Sequence, residues 1–313
     1  MTRVYWHESA LAHVTPPGHP ERVARAEAVH AALSELDGLE WHDAPRAPRT
    51  EVERCHPARY FDRIASAIPE SSFVSLDPDT HVSPGSLDAA LHAVGGCGAA
   101  VDAVIGGEAQ TAFVAMRPPG HHAETETAMG FCLFGTAAIA AKRALDEHGL
   151  DRVAVLDFDV HHGNGTQDLL WNEERTLFAS SHQMPLYPGT GAAHETGAHD
   201  NVLNVPLAPM TGGDEMRRAW GDVILPALDD FAPELVIVSA GFDAHASDPL
   251  ANLNWTEDDF GWVTTAICEV AEAHAGGRVV STLEGGYDLA ALAASVVAHV
   301  NALKEHEASA TLQ

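Results

Sequence analysis

The fold is decided by a stretch in the middle of the chain, Val153 to Gln167, which reads VAVLDFDVHHGNGTQ. Its first half, Val153 to Val160, is a nearly continuous apolar run, as in a parallel strand that is covered on both faces. Carboxylates, imidazoles and glycines mark the end of this run. The stretch therefore predicts a buried parallel strand that ends in a chemically reactive loop.

The same alternation of a short apolar run and a longer helical pattern continues along the whole chain, which is typical of an α/β protein. Four more runs predict strands: Thr111 to Met116, Thr176 to Ser181, Leu235 to Gly241 and Arg278 to Leu283. Alanine-rich segments predict the helices: Pro20 to Leu36, Pro84 to Ile105, Thr136 to His148, Asp214 to Asp230, Glu257 to Ala275 and Leu289 to Lys304. Because no linker or repeat interrupts this pattern, we predict a single α/β domain over residues 1–313, with 306–313 as a frayed tail.

Composition narrows the classes of partner. The 313 residues include 45 acidic and 17 basic side chains, for a net charge of −28. Such a surface repels phosphate backbones, so we expect no nucleic-acid partner. Two explanations of the charge stay open: solubility in a salty milieu, and attraction of a cationic substrate such as a polyamine or a lysine-rich peptide.

The sequence gives no targeting signal. No stretch approaches the ~18 to 20 uninterrupted apolar residues of a membrane span, and the first residues lack the basic start and apolar core of a secretory signal. The four cysteines are too far apart for a CxxC pair: Cys55, Cys97, Cys132 and Cys268. We expect a cytoplasmic protein with reduced thiols, whose oligomeric state cannot be predicted from the sequence.

The clearest functional signal is a set of acids and imidazoles at two strand ends. Positions two apart share a face of a strand, so Asp157, Asp159 and His161 are expected to project together. Asp243 follows the strand Leu235 to Gly241 at the same edge of the sheet, where ligand sites form in parallel α/β folds. Alone, Asp243 is more often a helix cap, but with Asp159 and His161 it completes a ligand set suited to zinc.

Two further strand ends carry candidates for acid–base and oxyanion chemistry. His121 and His122 follow a rigid Pro-Pro-Gly segment that can hold both rings near a reacting water, although a lone His pair is as often structural. Tyr287 follows two glycines, where its phenol can donate to an oxyanion, although an ordinary Gly-Gly turn with a packing Tyr is the commoner meaning of such a motif. The conjunction of these four strand ends favours a catalytic site.

At these residues the sequence resembles the histone deacetylase family, in particular its class II branch with the bacterial histone deacetylase-like amidohydrolases. The resemblance covers nearly the whole chain and is carried by these motifs: His19 to Arg25 (HPERVAR), RPPGHHA, Gly130 to Cys132, DFDVHHGNGTQ, Tyr187 to Gly191, SAGFD and LEGGYDL. It implies the three-layer α/β/α arginase/deacetylase fold, with a central, mostly parallel sheet of about eight strands. It also implies a zinc-dependent hydrolase that removes an acetyl or other short acyl group from an amine.

The resemblance implies a role for each residue at the centre. The zinc ligands would be Asp159, His161 and Asp243, and Tyr287 would polarise the scissile carbonyl together with the metal. His121 and His122 would be the tandem base and acid, with Asp157 and Asn164 as their respective partners; Asn164 replaces the Asp of class I relatives. The remaining assignments are a potassium ion held by Asp157, Asp159, the His161 backbone, Ser180 and Ser181, and a substrate channel lined by Gly130, Phe131, Tyr187 and Leu250.

The substrate class stays open between alternatives. Related polyamine deacetylases carry a Glu at the rim where this chain has Leu250, so an acyl-lysine peptide or protein is favoured over an acetylpolyamine. A non-catalytic acyl-lysine-binding scaffold is disfavoured because no catalytic position is lost. A binuclear manganese ureohydrolase shares the fold class but needs a richer set of carboxylates.

Overall fold

The computed structural model describes residues 1–310 and contains an eight-stranded sheet in the order β2-β1-β5-β10-β9-β6-β7-β8, with all neighbouring strands parallel. A two-stranded antiparallel hairpin, β3-β4, lies outside it. The strands are β1 Thr2–Trp6, β2 Leu39–Asp43, β3 Val74–Ser75, β4 His81–Val82, β5 Thr111–Val114, β6 Val153–Asp157, β7 Thr176–Gln183, β8 Val202–Leu207, β9 Leu235–Ala240 and β10 Val279–Leu283.

Helices lie in most of the connections between the parallel strands, whereas residues 184–201, which join β7 to β8, contain no helix. The helices are α1 Val23–Ser34, α2 Arg49–Val52, α3 Ala58–Ala67, α4 Ser86–Ile105, α5 Thr136–Glu147, α6 Asn164–Leu170, α7 Gly213–Ala219, α8 Leu225–Phe231, α9 Glu257–Ala275 and α10 Leu289–Ala310. A 3₁₀ turn covers Glu8–Leu11, and one π-helical turn, Trp220–Ile224, joins α7 to α8.

The helices cover both faces of the sheet, and a large apolar cluster lies on each face. Alternate residues of β6 separate them: Ala154 and Leu156 belong to one cluster, Val153 and Val155 to the other. The first cluster is built with α1, α9 and α10 and is rich in aromatic rings, while the second is built with α4 and α5 and is rich in alanine. The predicted single three-layer α/β/α domain is confirmed.

All five predicted strands are present, but three strands of the sheet were not predicted. β1 and β2 mix apolar and polar residues, and β2 is an edge strand without a fully buried residue. β8, the other edge strand, contains Pro206, which weakens the strand signal. These three strands lack the continuous apolar run on which the prediction relied.

The predicted frayed tail over 306–313 is wrong for residues 306–310, because α10 continues to Ala310. Glu307 on this helix is buried and accepts hydrogen bonds from the N-terminal ammonium (2.8 Å) and from the Thr2 hydroxyl (3.1 Å). These contacts attach the end of α10 to β1. The last predicted tail residues, 311–313, lie outside the described part of the chain.

Helix α4, Ser86–Ile105, is long and apolar enough to cross a membrane by length and composition alone. Within the domain, 67% of its most apolar window is buried. A core helix of a globular domain has the same properties, and α4 packs in this way through Cys97 and Val101.

Candidate active site

The four functional strand ends of the sequence lie side by side. β5, β10, β9 and β6 are consecutive in the sheet, and their carboxyl ends carry the His121–His122 loop, the Tyr287 loop, Asp243 and Asp159, respectively. Parallel strands present their carboxyl ends at one edge, so residues far apart in sequence meet there.

Asp159, His161 and Asp243 form a compact, buried group. One ligand atom from each lies within 4.8 Å of the others. The Nδ1 atom of His161 is 3.1 Å from Asp159 Oδ1 and 3.0 Å from Asp243 Oδ2. Backbone amides fix the carboxylates: His161 donates to Asp159 (2.9 Å) and Val160 donates to Asp243 (2.9 Å). Two carboxylates and an imidazole in a dry pocket have the donor chemistry of a three-residue catalytic zinc site.

The electrostatics of this group also fit a cation. Burial lowers the pKa of His161, but hydrogen bonds to Asp159 and Asp243 raise it to about 10. Burial raises the pKa of Asp243, and the charge of Asp159 raises it further. A buried cation would relieve this repulsion between carboxylates, as metal ions do at such sites. Within residues 1–310, this is the one group of three or more such side chains that could hold an ion.

Glycine is required beside these carboxylates. A Cβ atom on Gly285 would lie 2.2 Å from Asp243 Oδ2 and 2.5 Å from Asp159 Oδ2, and Gly285 N–H donates to Asp159 (2.8 Å). The first glycine of the Gly-Gly turn therefore allows the backbone to serve as a hydrogen-bond donor to a ligand carboxylate.

Asp157 is the last residue of β6 and is not a member of the Asp159, His161 and Asp243 group. Asp157 Oδ2 instead contacts Nδ1 of His121 at 2.9 Å. The pairing of Asp157 with His121, which the resemblance implied, is present.

The tandem histidines have different environments. His121 faces Asp157, while His122 Nδ1 lies 2.7 Å from Asn164 Oδ1, and the two rings are 4.0 Å apart. Burial lowers the pKa of His121, but the charges of Asp159 and Asp157 outweigh it and hold this pKa well above its usual value. The pKa of His122 is well below its usual value because of burial and the neighbouring charge of His121. The pair thus combines one imidazole that favours the cation with one that favours the neutral form.

A cavity of about 340 Å³ leads from the surface to His122, His161 and Tyr287. All four predicted channel residues line it: Gly130, Phe131, Tyr187 and Leu250. Phe131 packs edge-on against Tyr287, with ring centroids 5.8 Å apart, and Tyr187 packs edge-on against His122 at 5.2 Å. The lining is mainly apolar at the walls, as a narrow channel for an alkyl chain requires.

Backbone geometry shapes this channel. Phe131 has a φ of +69°, which is rare for a bulky residue, and Gly130 before it has a φ of +54°. A Cβ atom on Gly130 would lie 2.3 Å from the His122 ring. The left-handed pair thus brings the loop against His122, and strain of this kind is concentrated at functional sites.

Ser180 and Ser181 lie in β7, buried next to the site. Ser180 pairs with Asp157 across the sheet, and its hydroxyl is 2.9 Å from His182 Nδ1. Ser181 Oγ accepts a hydrogen bond from Trp220 Nε1 at 3.0 Å. The serine hydroxyls therefore have protein partners, and the backbone of Ser180 lies adjacent to Asp157.

The family model for the histone deacetylase domain matches residues 19–303. The chain belongs to the histone deacetylase family. Members of this family are hydrolases, and the chain is therefore assigned to the hydrolases as a deacetylase-type amidohydrolase.

Individual relatives agree with this family. The chain is 41% identical to a histone deacetylase-like amidohydrolase of Pseudomonas aeruginosa over 88% of this chain and 74% of that protein. It is 44% identical to an uncharacterized protein of Synechocystis sp. over 95% and 97% of the two chains. The crystal structure of the HDA15 HD domain superposes with a TM-score of 0.91 at 32% identity, covering 97% of this chain and 90% of that one.

Several residues at this deacetylase-type site were not predicted. Arg25, fully buried, donates to the carbonyls of Glu284 and Gly286 (2.6 Å each), and its guanidinium lies 4.9 Å from the Tyr287 ring. Asp248 accepts a hydrogen bond from Tyr287 N–H at 2.7 Å. Arg25 lies in the quoted HPERVAR motif, but one sequence gives no sign that its side chain reaches the turn before Tyr287.

The mouth of the cavity also contains acidic and imidazole groups that were not predicted. His19, Asp79 and His81 line it, and the backbone carbonyl of Asp79 lies 2.9 Å from His19 Nε2. Burial and the neighbouring Asp77 raise the pKa of Asp79. The Asp-Pro-Asp sequence at 77–79 indicates a turn, but nothing local to it indicates a position at the channel mouth.

Proposed function

We propose that the chain is a zinc-dependent deacetylase that hydrolyses acyl-lysine side chains in peptides or proteins. The observation that carries this proposal is the opening of the apolar cavity onto His161, His122 and Tyr287 together. An extended alkyl arm in the cavity would bring its terminal amide to one ligand of the metal, one acid–base group and one phenol.

Asp159, His161 and Asp243 would hold the zinc ion. When bound, zinc supplies a Lewis acid that polarises a carbonyl and makes a water molecule easier to deprotonate. His161 would use Nδ1, the atom that faces both carboxylates.

His122 is suited to accept and return the proton. Asn164 offers its oxygen to Nδ1, because its amide nitrogen donates to Glu124 Oε1 at 2.8 Å. Nδ1 of His122 therefore carries a proton, and Nε2 of the neutral ring is free to take one from the attacking water. His122 then gives this proton to the nitrogen of the departing amine as the C–N bond breaks, which leaves a carboxylic acid and a free amine; the acid then loses its proton, which the amine takes up, to give a carboxylate and an ammonium group.

His121 and Tyr287 would stabilise charge during this step. His121, held by Asp157, favours the cationic form and would offset the negative charge of the buried carboxylates around it. Tyr287 is neutral because burial raises the pKa of its phenol well above the usual value, and it would donate a hydrogen bond to the developing oxyanion.

The proposed potassium ion would lie beside Asp157. Asp157 is fully buried, and burial raises its pKa to about 6. A monovalent cation held by Asp157, Asp159, the His161 backbone, Ser180 and Ser181 would stabilise the ionised form that pairs with His121. We expect activity and melting temperature to be higher in potassium than in choline chloride at equal ionic strength; equal values in both salts would contradict this site.

The proposed function is tested by incubating the purified protein with an acetyl-lysine peptide and measuring acetate and free amine. We expect both products in equal amounts, dependent on zinc and abolished by a chelator. Asp243→Asn should lose the metal and the activity, while the exposed Asp222→Asn, a matched charge change away from the site, should retain both. Zinc-loaded protein without turnover on any acylated amine would contradict the proposal.

An acetylpolyamine is the second candidate substrate, and the acidic Asp79 at the cavity mouth is the observation that favours it. A carboxylate there can pair with a second ammonium group. Against this, Leu250 at the same mouth is apolar. Comparing kcat/KM for an acetyl-lysine peptide, acetylspermidine and acetylputrescine decides between them; we expect the peptide to be preferred, and a preference for acetylspermidine would reverse the assignment.

A further inference from the structure

Glu284 is a buried carboxylate at the active site to which the proposed chemistry gives no role. It follows β10 and is fully buried. Its Oε2 accepts hydrogen bonds from the N–H groups of Gly120 (2.7 Å) and His121 (3.2 Å), and its Oε1 accepts one from the Ser239 hydroxyl (3.1 Å). The side chain thus extends from the Tyr287 loop to the loop of the tandem histidines.

We propose that Glu284 is a positioning residue, whose carboxylate fixes the backbone of the tandem histidines relative to Tyr287. This inference rests on the proposed deacetylase function. The reacting amide must meet His122 on one side and the Tyr287 phenol on the other, and these two groups lie on different strand ends. Glu284 joins the two loops directly through its bonds to Gly120 and His121.

The Tyr287 end of this connection is rigid. Glu284 N–H donates to the Ala240 carbonyl at 2.9 Å, which continues the pairing of β10 with β9. Arg25 holds the carbonyls of Glu284 and Gly286, and Tyr287 N–H is held by Asp248. Because the backbone of Glu284 is held in this way, its carboxylate can keep the groups that it binds in a defined position.

The histidine end depends on the carboxylate. Gly120 and His121 are buried, so loss of Glu284 would leave two N–H groups without their acceptor in a dry environment. The loop would then have to shift to find new partners. A displacement of about 1 Å at a catalytic group can reduce the rate roughly 100-fold.

Replacing Glu284 by glutamine or by alanine distinguishes the positioning role from a simple effect of its charge. The oxygen of a Gln amide can accept both N–H groups, and its NH₂ can donate to the Ser239 oxygen, so Glu284→Gln retains the connection but removes the charge. Glu284→Ala removes both. Glu307→Ala is the matched control, because it removes a buried carboxylate that bonds to Thr2 and Thr111, away from the active site.

The experiment compares kcat, KM, zinc content and melting temperature of these variants, using an acetyl-lysine peptide. We expect Glu284→Ala to reduce kcat about 10- to 100-fold with KM within about threefold, and Glu284→Gln to remain within about threefold of the parent in both. Glu307→Ala should lower the melting temperature and leave kcat unchanged. If Glu284→Ala does not fold, Glu284→Asp, whose shorter side chain cannot reach both amides from the same backbone, replaces it.

A second readout does not depend on turnover. Hydrogen exchange of a peptide that contains Gly120 and His121, followed by mass spectrometry, should be roughly tenfold faster in Glu284→Ala and unchanged in Glu284→Gln. Unchanged exchange in Glu284→Ala would overturn the proposal, as would an unchanged kcat or an equal loss in Glu284→Gln and Glu284→Ala. If the parent protein shows no deacetylation, the proposed function fails, while the exchange experiment still decides whether Glu284 holds this loop.

Discussion

Replacing Tyr287 by Phe tests the proposed oxyanion donor with little disturbance of the fold. The substitution removes one oxygen atom and leaves the ring. The contacts of that ring, with Phe131 at 5.8 Å and the Arg25 guanidinium at 4.9 Å, do not require the hydroxyl. The backbone bond from Tyr287 N–H to Asp248 is also unaffected. We therefore expect the variant to fold and to bind zinc like the parent.

The expected loss follows from the burial of the phenol. Tyr287 is 8% exposed, so the hydrogen bond that it donates forms in a largely water-free place, where no solvent molecule easily replaces it. Removing one such oxyanion donor reduces kcat by about 10² to 10³, or roughly 3 to 4 kcal/mol of transition-state stabilisation. KM should change little, because the interaction strengthens only as negative charge develops on the oxygen.

The assay is steady-state turnover of an acetyl-lysine peptide, together with zinc per chain and the melting temperature. Tyr5→Phe is the matched control: Tyr5 is buried in β1, and its hydroxyl donates to the Ala99 carbonyl at 3.2 Å, away from the cavity. Its kcat should equal that of the parent. Unchanged turnover of Tyr287→Phe would refute the oxyanion role. Loss of zinc from this variant would refute the assumption that Tyr287 takes no part in metal binding.

Three further predictions concern the rim, the core and the metal. Leu250→Glu should raise the ratio of kcat/KM for acetylspermidine over an acetyl-lysine peptide by about tenfold, because a rim carboxylate attracts a second ammonium; an unchanged ratio would argue against a specificity role for this rim position. Burial lowers the pKa of His299 to about 3. In the unfolded chain the His299 imidazole takes up a proton near pH 6.5, whereas the buried imidazole of the native state stays neutral down to about pH 3. The free energy of unfolding should therefore fall by on the order of 4–5 kcal/mol through this group as the pH drops from about 7 to 3. His299→Gln should flatten this dependence in urea titrations, and an equally steep curve would show that other groups dominate. Finally, a chelator should lower the melting temperature of the zinc-loaded parent by several degrees but not that of Asp243→Asn; equal shifts would place the metal elsewhere.

The sequence predicted the interior of the fold better than its margins. The central strands β5, β6, β9 and β10 are buried on both faces, so their residues must be apolar throughout, and this requirement is visible in one sequence. An edge strand such as β2 has no such requirement and resembles a loop. The ends of the six predicted helical segments agree with the structure within a few residues, except for α10, which continues to Ala310, whereas α2, α3 and α6 were not predicted.

The residues of the candidate site also divide into those that the sequence predicts and those that it does not. Residues that lie on motifs at strand ends, such as Asp159, His122 and Tyr287, could be predicted because the geometry of a parallel sheet collects strand ends at one edge. Residues that act from another element could not: Arg25 comes from α1, and Asp79 comes from the loop between β3 and β4. Their position depends on tertiary packing, which has no local signal in the sequence.

Some buried acids of this chain are bound by an arginine guanidinium and others are not. This difference says more about the position of the site than the net charge of −28 does. Glu21 is fully buried, but Arg117 and Arg25 bind its carboxylate, and the first of these charges holds its pKa well below the usual value in spite of burial. Asp243 and Glu284 are equally buried without such a guanidinium on their carboxylates, and burial raises both pKa values, that of Glu284 to about 7. A fold gains nothing in stability by placing undercompensated carboxylates together, so their persistence at one edge indicates a functional demand for negative charge. The net charge therefore says little about the substrate, whereas the buried carboxylates gathered at the ends of β9 and β10 support the proposed cation site.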